Sequence, residues 1–61
     1  MSFSIGDTVT CECPGSWVHG RAGIIEALDI VSPDEIAGHL LKIPGIGMTV
    51  VEPECLRKVD A

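Results

Sequence analysis

Thr8-Val9-Thr10-Cys11-Glu12-Cys13 alternates polar and apolar residues without a break. Successive side chains of an extended strand point to opposite faces. This stretch therefore puts Val9, Cys11 and Cys13 on one face and turns Thr8, Thr10 and Glu12 toward water. Pro14-Gly15 stops the strand, and residues 14–20 read as a loop. The same punctuation runs along the chain: glycine and proline cut it into short apolar segments, the pattern of a meander of strands.

After Gly20-Arg21-Ala22-Gly23 comes Ile24-Ile25-Glu26-Ala27-Leu28-Asp29-Ile30-Val31, rich in β-branched residues. Ile25 and Leu28 cannot both face inward on a regular strand, so a bulge is expected near Glu26-Ala27. Gly23 suits a place where backbone approaches closely or takes positive φ. Ser32-Pro33-Asp34-Glu35 carries a helix-start signal, with Ser32 as cap, Pro33 in the first turn and Glu35 three residues after the cap. Two readings follow. Either a helix continues with Ile36, Leu40 and Ile43 on one face, or a short helical turn near 33–37 gives way to a strand over His39–Ile43. The second is preferred, because Gly38 inside a helix costs roughly 1 kcal/mol.

Pro44 ends that segment on either reading. Gly45-Ile46-Gly47 reads as a hairpin connection and Met48–Glu52 as the next strand. Pro53–Leu56 suits a 3₁₀ turn, since proline cannot donate to a ladder. Arg57-Lys58-Val59 makes a short closing strand whose charges guard an edge. The expectation is a single all-β domain over residues 1–61: five strands closed into a small barrel, with helical turns near 33–37 and 53–56.

Composition narrows the function. Hydrophobic residues are 46% of the 61, enough for a folded core, yet Phe3 and Trp17 are the only aromatics. So aliphatic a core leaves room for self-association as a homo-oligomer without specifying it. Nine acidic residues against four basic ones give a net charge of −5. Proteins that grip phosphate backbones use clustered Lys and Arg, so this balance argues against direct nucleic-acid binding. It favours a partner with basic patches. No apolar run reaches the ~18 residues a bilayer span needs. The N-terminus lacks the basic start and apolar stretch of a signal peptide, and three cysteines, an odd number, fit a reducing, cytoplasmic setting.

The order of segments resembles the SH3-like barrels, in particular the KOW-type modules. The matching residues are Gly6-Asp7-x-Val9, then Gly20-Arg21-x-Gly23-x-Ile25-x-x-Leu28, and at the end Val51-Glu52-Pro53-x-x-Leu56-x-x-Val59. The resemblance implies five short, strongly bent strands and a binding role, often as an accessory subunit. Two departures stand out. RNA-binding KOW modules are usually basic, and peptide-binding SH3 domains hold Pro-rich ligands on a groove of Tyr and Trp rings. This chain is acidic and has no Tyr.

Cys11, Cys13 and Cys55 with His19 or His39 have the ligand types of a zinc site. They lack the paired Cys-x₂₋₄-Cys spacing of structural zinc, so they read as small core residues and no metal or cofactor is expected. Cys13 with His19 is a nucleophile–base pair by composition alone, with no third group or oxyanion donor. No enzyme is expected. Trp17, the largest apolar side chain, sits in a glycine-flanked loop, where it serves either as an interface anchor or as a lid on the core. Asp7, Glu12, Glu52 and Glu54 form either an acidic patch or ordinary solvated surface.

The resulting expectation is a non-enzymatic module that binds another protein as adaptor or accessory subunit. Its contact residues would be Trp17, His19, Arg21, Glu12, Glu52 and Glu54. The rival is a small acidic, phage-type inhibitor that blocks a nucleic-acid-handling complex by imitating phosphate charge. Its charge is modest for that task and does not run in a long block.

Overall fold

A computed structural model describes residues 2–59. The opening alternation translates directly into burial. In β1 (Thr8–Cys11) the side chains of Val9 and Cys11 are buried, while Thr8 and the following Glu12 are exposed. The chain continues through β2 (Ala22–Val31), β3 (Ala37–Ile43), β4 (Gly47–Val51), a 3₁₀ turn at Pro53–Cys55 and β5 (Leu56–Lys58). All pairings are antiparallel, in one five-stranded sheet of order β4-β3-β2-β1-β5.

β2 is the longest strand and does not stay regular. Its register against β3 shifts between Ile25 and Ala27 and again between Ala27 and Ile30. The first shift is the expected bulge, and it lets Ile25 be buried while Leu28 also packs on the core. The second centres on Asp29, whose φ of 52° lies in the left-handed region. That conformation costs a non-glycine residue about 1 kcal/mol. Part of the compensation is local: the Asp29 N–H donates to His39 Nδ1 at 3.2 Å. His39 is buried and meets the Phe3 ring edge-on, with centroids 5.6 Å apart.

The helical turn expected near 33–37 is instead a tight hairpin loop. Glu35 N–H donates to the Ser32 carbonyl at 2.8 Å, and Ser32 N–H donates to the Ile36 carbonyl at 2.9 Å. The Ser32 hydroxyl oxygen accepts from Ile36 N–H at 3.1 Å. Glu35 has φ of 63°, which turns the chain back instead of winding it onward. A β-turn followed by a left-handed residue is a common three-residue hairpin loop. Pro33 fits the second position of such a turn as well as the first turn of a helix, which is why the same residues suggested both.

β3 therefore begins at Ala37, and Gly38 is a strand residue instead of a helix terminator. Its lack of a side chain is what lets β3 lie against the end of β4. A Cβ at Gly38 would overlap the Val51 carbonyl oxygen and stand 2.6 Å from its carbon. At the far end, Ile46 N–H donates to the Ile43 carbonyl at 3.0 Å. Gly45 there has φ of 83°, so Pro44-Gly45 closes the β3–β4 hairpin as a turn that needs positive φ at its third residue.

The core is aliphatic and sulfhydryl: Val9, Cys11, Val18, Ile25, Leu41, Ile43 and Val51. The sheet is not closed by backbone pairing. Among the described residues β4 and β5 are its two edges, joined in sequence by the 3₁₀ turn.

Candidate binding groove

The loop after β1 is tied down at both ends. Cys11 N–H donates to the Arg21 carbonyl and Gly20 N–H to the Cys11 carbonyl, both at 2.8 Å, which extends the β1–β2 pairing to the loop's base. Inside it, Ser16 N–H bonds to Cys13, His19 N–H to Ser16 and Arg21 N–H to Val18, three successive turns. Held this way, the loop sends adjacent residues in opposite directions. Val18 is 5% exposed and joins the core, whereas Trp17 is 69% exposed. Trp17 is thus no lid on the interior. Val18 fills that place, and sequence reading passed over it because it lies in a loop with no periodic pattern.

Trp17 is one of the residues lining an open groove of about 640 Å³. The loop contributes Cys13 and Trp17. β4 contributes Thr49, Val50 and Val51, and the β2–β3 hairpin contributes Asp34 and Ile36. A second cleft of about 600 Å³ adjoins it and shares Ile36 and Glu52; Asp29, Glu35 and Glu54 lie along it.

Of the residues expected to make contact, Trp17 and Glu52 line the main groove and Glu54 the adjoining cleft. His19 and Arg21 are exposed but line neither. Glu12 is engaged elsewhere, its Oε2 3.0 Å from Arg57 Nε on β5. Asp7 is likewise 3.4 Å from Lys58 Nζ. The backbone N–H of Ser4, with Lys58 adding to it, holds the Asp7 carboxyl below its ordinary range. The patch imagined from Asp7, Glu12, Glu52 and Glu54 therefore divides: two acids pair with β5 cations, and two face the grooves. Asp34 and Ile36 were missed as lining residues because the hairpin that presents them looked like a helix start.

The thiols gather beneath this surface. Cys13 and Cys55 both line the groove, and Cys13 Sγ is 4.0 Å from the Cys55 carbonyl oxygen. Burial, reinforced by the neighbouring Cys55 and Cys11 thiols and by Glu52, pushes the Cys13 thiol up to about 12. His19 is not among the groups acting on it. Among the described residues no group of three or more His, Cys, Asp or Glu is placed to hold a metal ion.

A raised folded-state value means the folded chain keeps this proton longer than the unfolded one. Its stabilising contribution is whole below about pH 9, the ordinary thiol value, and is lost as pH climbs toward 12. Alkylation by iodoacetamide at about pH 8 should accordingly be slower at Cys13 in the folded chain than in denaturant. Equal rates, read by peptide mass analysis, would contradict that environment.

No helix among the described residues is long and apolar enough to cross a membrane. Compared with known proteins, the chain matches no family model, no curated protein and no solved structure.

Proposed function

We propose that the chain is a small SH3-like module of the KOW type that does no chemistry and binds another protein, as adaptor or accessory subunit. The meander order, the two register shifts in β2 and the 3₁₀ turn leading into β5 all support the SH3-like reading. The binding role rests on one observation: the sole tryptophan is exposed and lines a groove, on a loop already braced by hydrogen bonds. An amphipathic ring carried on a braced loop costs little backbone freedom on contact, and tryptophan recurs at interface hot spots.

Trp17→Ala separates this role from a structural one. Loss of a hot-spot side chain costs about 2 kcal/mol or more of binding energy, roughly a 30-fold loss of affinity. A partner retained by the immobilised chain should be lost from the variant, while the melting temperature stays within about 2 °C of the parent, as for an exposed site. A drop of ten degrees or more, or unchanged retention, would refute the reading.

A further inference from the structure

We infer that the main groove takes an extended, lysine- or arginine-bearing apolar segment of another protein, laid along the free edge of β4 as an added strand. This deepens the protein-binding reading and rests on it.

The first observation is how β4 meets the groove. Thr49, Val50 and Val51 all line it. Side chains alternate between faces along a strand, so contact with three consecutive residues is what a cleft following the strand's edge would make. That edge is unpaired: β4 is an outer strand, bonded only to β3 among the described residues. An unpaired edge offers a row of backbone donors and acceptors to an incoming chain.

The second observation is the contrast between the two edges. β5 carries Arg57 and Lys58, the kind of charges that block further pairing. β4 is Gly-Met-Thr-Val-Val, with neither charge nor proline. One edge is guarded and the other is left open beside an exposed tryptophan.

Third is the charge around the open edge. Asp34 and Glu52 line the groove, and Asp29, Glu35 and Glu54 line the cleft that continues it. These are five of the nine acidic residues, and no Lys or Arg lines either space. An extended segment presents alternate side chains to opposite sides. Basic ones would meet the carboxylates while apolar ones meet Trp17 and Ile36. A second copy of the same chain fits poorly, because each would bring a net charge of −5 and the same acidic rim. A nucleic acid fits worse still. Five residues of β4 match a segment of about five or six.

The test uses the whole chain, isotopically labelled, and three capped hexapeptides followed by amide NMR. One alternates lysine and valine, one replaces lysine by glutamate, and one is the lysine peptide methylated on alternate backbone nitrogens. The lysine peptide should shift the amides of Thr49–Glu52 and the Trp17 indole, and should weaken several-fold as salt is raised. Asp34→Asn with Glu52→Gln, both on exposed residues, should weaken it about tenfold. Equal binding of the glutamate or methylated peptide, or shifts centred on β5, overturns the proposed occupant. In that case shifts at Trp17 would still uphold the binding module. Silence from all three peptides overturns the occupant too, and the module then stands or falls on the Trp17→Ala comparison.

Discussion

Gly38→Ala is expected to destabilise the protein strongly. The added methyl would occupy the place of the Val51 carbonyl oxygen, with the Val51 carbon at 2.6 Å and Glu52 N at 3.0 Å. All three are backbone atoms, so no side chain can rotate away. Relief requires parting β3 from β4 where His39 pairs with Val51. Overpacking usually costs 1–3 kcal/mol and can exceed that, and here about 3 kcal/mol or more is expected. A domain this size has a total stability on the order of 3–9 kcal/mol. Gly23→Ala is a useful comparison. Its Cβ would meet Ile43 Cγ1 and the Lys42 carbonyl oxygen, each at 2.9 Å, so it too presses on backbone but overlaps it less deeply. Circular dichroism melts should show Gly38→Ala as much the more damaging of the two. A Gly38→Ala protein that melts with the parent would mean that the two strands do not approach as described.

Ile25→Ala is the second large effect. Ile25 is 0% exposed, pairs with Leu41 across β2–β3 and is anchored through its backbone to Gly6 and Asp7. Truncating a buried isoleucine costs 2–5 kcal/mol, the spread reflecting how far the site can collapse. Collapse is limited here, because the residue sits beside the bulge that lets both Ile25 and Leu28 reach the core. A loss of about 3 kcal/mol is expected in chemical denaturation. Ile24→Ala, one position away and 44% exposed, should cost less than about 1 kcal/mol. Equal losses at the two positions would mean that the inward face of β2 is misassigned.

Much of this fold was readable from local pattern. The alternation of residues 8–13, the need for a bulge between Ile25 and Leu28, and Pro53 as a turn former all rest on interactions within a few residues. What escaped depends on distant contacts. Ser32-Pro33-Asp34-Glu35 suits a helix cap and a hairpin turn equally. The choice is made by Ile36 closing back on Ser32 and by β3 pairing along β2. Gly38 looked like a helix terminator, whereas its reason for being glycine lies thirteen residues away at Val51. Closure of the sheet was expected, but β4 and β5 do not pair.

The candidate site divides along the same line. Trp17 was conspicuous by type and setting, but whether it points in or out is decided by the bonded turns of its loop. His19, Arg21 and Glu12 lie near Trp17 in sequence and not in the groove. Asp34 and Ile36 reach it from another hairpin.

Because the chain has one tryptophan and no tyrosine, its intrinsic fluorescence reports on Trp17 alone. Steady-state emission of the unbound, folded protein, with acrylamide quenching, bears most directly on whether the core is complete without that ring. The folded chain should emit close to the wavelength of the denaturant-unfolded chain and be quenched almost as readily. Blue-shifted emission, shielded from quencher until the protein unfolds, would place Trp17 inside and remove the surface on which the binding role rests.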